Sequence, residues 1–135
     1  APPGRTPPPE VRMDRESVMS WVAAYEAAWR GEDRGAVASL FTEDATYARS
    51  PYDDPLRGHD AIRDFWLADA GETFTMTAQP VAVDGLAAVV RVEVRYDGPT
   101  PQEYRDLWIL RFADDGRVED FAEWAYWPSK PYTAT

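Results

Sequence analysis

The 135-residue sequence has no cysteine and only one histidine. The first absence excludes disulfides, thiolate nucleophiles and cysteine-held metals. One histidine among scattered acids makes no ligand cluster, so no metal site is expected. Basic residues are also scarce. Fourteen Lys and Arg face 24 Asp and Glu, a formal net charge of −10. Phosphate backbones and anionic membrane surfaces both require clustered cations, so neither nucleic acid nor a membrane is expected as a partner. No apolar run approaches the roughly 18 residues of a membrane span. The first residues, APPGRTPPPE, lack the apolar centre of a signal peptide. The expected location is cytoplasmic. There is no phosphate loop, nucleophile elbow or dinucleotide fingerprint, and no cofactor is expected.

Aromatic residues, by contrast, are plentiful: six Trp, seven Tyr and five Phe in a chain that is 44% hydrophobic. That supports one real core, and it also suits the wall of a pocket for an apolar ligand. Residues 1–13 read as a Pro-rich tail, 14–128 as one domain and 129–135 as a second tail. Val18, Val22, Tyr25 and Trp29 recur at helical spacing, with Asp14 as N-cap and Gly31 as stop. A shorter helix follows, capped by Asp33 and carrying Val37, Leu40 and Phe41. Thr42-Glu43-Asp44 reads as a break before a short strand over 45–49. A third helix presents Ile62, Phe65 and Trp66 and ends near Gly71.

From Phe74 the period changes to two. Pro80 restricts the first of these strands to a sheet edge or a bulge. Residues 86–96, 104–112 and 117–127 read as three more strands, with Asp114-Asp115-Gly116 as a hairpin turn. The expected fold class is α+β, a curved mixed or antiparallel sheet with three helices on its concave face.

The segments AWRGEDRGAVASLFTEDATY, PLRGHDAIRDFW and RFADDGRVEDFAEWAYWP, in that order, resemble the SnoaL-like branch of the nuclear-transport-factor-2-like superfamily. The resemblance covers about residues 15–128. It implies a conical domain with a pocket between the long helix and the sheet, and often a homodimer formed through the outer face of the sheet. Activities in the superfamily include cyclases, isomerases, epoxide hydrolases and dehydratases, so fold alone leaves the chemistry open. In the epoxide-hydrolase branch, an Arg-x-Asp pair on one strand works with an Asp on the last strand. The resemblance sets Glu123 at that last acid and Arg91 with Glu93 at the pair. Tyr47 matches a water-positioning Tyr of the same branch, whereas Arg49 replaces its Asn.

The residues themselves leave alternatives. Arg91 and Glu93 alternate with Val90, Val92 and Val94, which also fits a solvated outer face with cross-strand ion pairs. Asp106 shares its face with Trp108, Leu110 and Phe112, where an acid needs either a partner or a wet strand end. His59 reads as an exposed residue in the first turn of the third helix. The catalytic candidates are therefore Asp106, Glu123, Arg91, Glu93 and Tyr47. The substrate-binding candidates are Arg49, Tyr52, Trp66, Trp108, Tyr25 and Phe121, with Trp124 and Tyr126 as further wall residues. The expected function is cofactor-independent acid–base chemistry on a hydrophobic small molecule: isomerisation, cyclisation, hydration or hydrolysis. A non-catalytic ligand-binding or dimeric interaction module of the same fold is the alternative.

Overall fold

The computed structural model describes residues 12–31, 33, 35–68, 73–97 and 102–128, those at 67 and 68 by backbone only. The Pro-rich segment over 1–11, the third helix's stop at Gly71, the Gly98-Pro99 part of a turn and the tail from 129 lie outside the described residues.

Helix α1 (Arg15–Arg30) begins at a reciprocal cap. The Asp14 side chain accepts from the Ser17 amide at 2.8 Å, and the Ser17 hydroxyl accepts from the Asp14 amide at 2.9 Å. Its buried residues Val18, Trp21, Val22, Tyr25 and Ala28 lie three or four apart and form one face. Helix α2 (Ala36–Leu40) buries Val37 and Leu40, and strand β1 (Phe41–Ala48) follows without a break. Strand β2 (Leu56–Arg57) leads into helix α3 (Gly58–Ala68), which buries Ile62 and Trp66. Four strands follow among the described residues: β3 (Phe74–Asp84), β4 (Ala87–Tyr96), β5 (Gln102–Phe112) and β6 (Val118–Tyr126).

The six strands form one curved, unclosed sheet in the order β2-β1-β6-β5-β4-β3. All neighbours are antiparallel except β1 and β6, which run parallel. Helix α1 packs over β3 and α3 over β1, so the core lies between the helices and the inner face. Alternation decides which side chains enter it. Ala88, Val90, Val92 and Val94 of β4 and Asp106, Trp108, Leu110 and Phe112 of β5 point inward and are buried.

Three local outcomes concern the expected boundaries. Strand β1 starts at Phe41 rather than Ala45, because the polar run Thr42-Glu43-Asp44 sits in an irregular stretch of the β1–β6 pairing, not in a break. Pro80 lies on an edge strand and beside a register shift, so both readings of it hold together. Met13, expected in the tail, donates its amide to Gly85 O at 2.8 Å and packs against the core. The hairpin between β5 and β6 turns at Gly116, whose φ of +88° a side chain would strain.

Candidate active site

The inner face carries two acids. Trp108 lies directly opposite Glu123 and Asp106 opposite Ala125, which makes Asp106 and Glu123 diagonal neighbours across β5 and β6. Asp106 is 4% exposed, the one buried charged residue among those described, and Glu123 is partly accessible. Their carboxyl groups adjoin and act directly on each other. Burial, and then the adjoining Asp106, hold the Glu123 carboxyl well above the usual carboxylate range. The Trp108 indole N–H turns toward Glu123 and opposes that shift, yet closes no hydrogen bond of full geometry. The neutral form of Glu123 is therefore favoured beside Asp106.

Two tyrosines adjoin the pair. The Tyr25 hydroxyl from α1 and the Tyr47 hydroxyl from β1 are 2.9 Å apart and buried. Burial raises both above the ordinary phenol range, and Glu123 adds to the effect on each. Both side chains are thus neutral donors. The Trp66 indole N–H points toward the Tyr25 hydroxyl, short of a full hydrogen bond. Phe121 stacks on Tyr47, with centroids 4.3 Å apart and rings 13° from parallel. Tyr25 meets Trp108 at 4.8 Å and Trp66 at 5.0 Å. Asp106, Glu123, Tyr47, Tyr25, Trp66, Trp108 and Phe121 are all brought together.

The other candidates are not. Arg91 and Glu93 are exposed on the outer face of β4, because Val90, Val92 and Val94 take the inward positions. Their setting beside Asp106 and Glu123 is corrected accordingly. Glu93 instead borders an outer hollow with Arg95, Glu103 and Arg105. Tyr52 stands in the loop before β2 and is 99% exposed. Arg49 follows the end of β1 and lies over the Phe65 ring at 5.6 Å, at the margin of the cluster. Trp124 and Tyr126 alternate with Glu123 and Ala125 and so face outward. His59 is partly buried, not exposed, with Nε2 2.9 Å from Phe41 O. Among the described residues no three His, Asp or Glu gather as a metal ion would require.

The raised Glu123 value links to stability. Its neutral form favours the folded state fully below the ordinary glutamic acid range, and this contribution is lost as pH rises through the folded-state value. Glu123→Gln removes the ionisation, so its stability relative to the parent should be higher at pH 9 than at pH 4, by at least about 1 kcal/mol. Urea unfolding at the two values measures this. Parallel pH dependence in both proteins would contradict a neutral Glu123.

The comparisons with known proteins agree with this architecture. Among solved structures, SalBIII, described as an epoxide hydrolase/cyclase-like enzyme in pyran ring formation of the polyether salinomycin, superposes with a TM-score of 0.71 at 19% identity, covering 86% of this chain and 94% of its own. A ketosteroid isomerase-like protein from Erwinia carotovora atroseptica SCRI1043 gives 0.63 at 19% identity, with coverages of 84% and 97%. An LEH-like epoxide hydrolase of M. tuberculosis gives 0.64 at 17% identity, with 83% and 84%. Likeness at these identities is one of fold. No curated protein matches the sequence. The family model of the SnoaL-like domain matches residues 22–121, and the chain therefore belongs to the SnoaL-like family of nuclear-transport-factor-2-like folds.

Proposed function

We propose that this protein is a cofactor-independent enzyme that moves protons on a hydrophobic small molecule. The observation that carries the reading is the adjoining Asp106–Glu123 pair set among tyrosines and tryptophans on the inner face. Two carboxyl groups in an apolar setting share one proton, which divides them into an acid and a base. Glu123 gives its proton to an oxygen that develops negative charge or leaves. Asp106 accepts one from a hydroxyl, a water or a carbon beside a carbonyl. Tyr47 or Tyr25 donates a hydrogen bond to the same oxygen. This arrangement serves isomerisation, ring closure or epoxide opening, the activities named for the structurally similar proteins.

The test is turnover of a panel of cyclic epoxides, hydroxy-epoxides and β,γ-unsaturated cyclic ketones by the purified protein. Turnover that is abolished in Asp106→Asn supports the reading. Binding of panel members without turnover of any would overturn it in favour of a ligand carrier.

The cytoplasm is the proposed location; among the described residues no helix is long and apolar enough to cross a membrane. The proposed assembly is a homodimer through the outer face of the sheet. Leu107, Ile109, Trp124 and Tyr126 are 39–41% exposed there, and Leu107 pairs with Trp124 across the strands. A charge at the centre of that patch, Trp124→Glu, should shift the sedimenting species from dimer to monomer at micromolar concentration. Identical sedimentation of parent and variant would count against this interface.

A further inference from the structure

Tryptophan has one polar atom, an indole N–H that can only donate, and burying it without an acceptor costs folding free energy. Among the described residues three tryptophans are at least nine-tenths buried: Trp21, Trp66 and Trp108. The first is satisfied in the ordinary way, with Trp21 Nε1 donating to Leu40 O at 3.0 Å. Nε1 of Trp66 and Nε1 of Trp108 close no hydrogen bond. These two orphans are not scattered through the core. They stand beside the polar groups of the site, Trp66 toward the Tyr25 hydroxyl and Trp108 toward the Glu123 carboxyl.

Trp108 is the better placed of the two. It lies directly opposite Glu123 in the β5–β6 register, so both side chains leave the inner face as cross-strand neighbours. Its ring is held from two sides. Tyr25 meets it at 4.8 Å and 60°, Phe121 at 5.1 Å and 58°, and the residue is only 2% exposed. A neutral carboxyl, the form that burial favours at Glu123, gains little from such a donor. A carboxylate gains much more, because hydrogen bonds to charged acceptors are shorter and about twice as strong. The N–H indeed acts on Glu123 toward the ionised form, against the effect of burial.

We propose that Trp108 is a positioning residue whose indole N–H closes on the Glu123 carboxylate as that group gives up its proton. The proposal rests on the acid–base reading and deepens it. When Glu123 protonates the substrate oxygen, its own O–H bond breaks and a new O–H bond forms on the substrate. The electron pair stays on Glu123. Asp106 takes the proton that the substrate or a water loses. The pair thus carries one negative charge before and after the step, displaced from Asp106 to Glu123. An apolar wall does nothing for that displacement. A donor already oriented opposite Glu123 favours it without reorganisation during the reaction.

Site-specific replacement of Trp108 by 3-benzothienylalanine, which keeps the bicyclic ring but has sulfur in place of N–H, tests this. Carbon-13 at the glutamate carboxyls makes Glu123 visible by NMR, as the resonance missing from Glu123→Gln. Its titration should move to higher pH than in the parent, since the ionised form has lost its donor. With a substrate that the parent turns over, kcat should fall about tenfold or more while KM stays within about twofold. The same replacement of Trp21, whose N–H is bonded to Leu40 O, should leave the Glu123 titration in place. An unmoved titration on replacing Trp108, an equal movement on replacing Trp21, or an unchanged kcat would overturn the proposal. Trp108→Phe repeats the comparison with a natural side chain; should it fail to fold, the isosteric replacement still decides. Absence of turnover of every panel member sinks the acid–base reading, whereas the NMR titration reads Trp108 on Glu123 without any substrate. The two can therefore fail separately.

Discussion

Asp106→Asn is expected to lower turnover by about 10²- to 10⁴-fold, the range that one positioned acid or base contributes. The substitution is informative because it changes little else. Asparagine keeps the shape of the side chain in a position only 4% exposed, and its amide oxygen can still accept from the adjoining Glu123. It cannot take up a proton. Glu123→Gln is the mirror case. Its amide can donate to the adjoining Asp106, but it has no proton to give to a leaving oxygen. The two groups act as one unit, so the double variant should lose scarcely more than either single one. The pH profile carries a second signature. Burial and Asp106 keep Glu123 protonated above the ordinary carboxylate range, so the parent's activity should fall on the alkaline side as that proton leaves. Both isosteric variants staying within about threefold of the parent would remove acid–base catalysis by this pair.

The acids of the site were legible in the sequence because strand parity is a local property. Asp106 shares parity with Trp108, Leu110 and Phe112, and Glu123 shares it with Phe121; the inner face follows from that spacing. The same rule set Arg91 and Glu93 outside, since the intervening valines had to be buried. The resemblance to an Arg-x-Asp motif pointed inward instead, and the valines decided the matter. What parity cannot reveal is contact between distant elements. Tyr25 and Tyr47 are 22 positions apart, on a helix and a strand, and only the packing of α1 onto the inner face of the sheet brings their hydroxyls to 2.9 Å. The parallel β1–β6 pairing is non-local in the same way and has no hairpin to announce it. The row of ring contacts from Trp29 through Phe74, Tyr96 and Tyr104 to Trp127 is the extreme case. Trp29, Phe74, Tyr96, Tyr104 and Trp127 come from α1, three strands and the segment after β6, and each alone reads as an ordinary core residue.

Phe121→Ala should cost about 3–5 kcal/mol of folding stability, the usual price of truncating a fully buried phenylalanine. Phe121 has no exposed surface, and its ring packs on five others: Tyr47 at 4.3 Å, Trp108 at 5.1 Å, Tyr25 at 5.8 Å, Phe41 at 6.2 Å and Trp21 at 6.3 Å. Those neighbours come from α1, β1 and β5, so the void cannot be closed by moving a single side chain. A loss of this size is a large share of the roughly 5–15 kcal/mol that holds a domain folded. Phe121→Leu separates packing from stacking. It retains most of the volume but none of the aromatic pairs, and should cost only about 1–2 kcal/mol. In urea both variants should lower the midpoint and leave the slope unchanged. A loss below about 1 kcal/mol in Phe121→Ala would mean that the rings collapse readily into the gap. Tyr25 and Tyr47, whose rings both stack near parallel on Phe121, would then not be held in fixed positions beside the acids. The stability of this one core residue therefore also measures how rigidly the hydroxyl pair is presented to substrate.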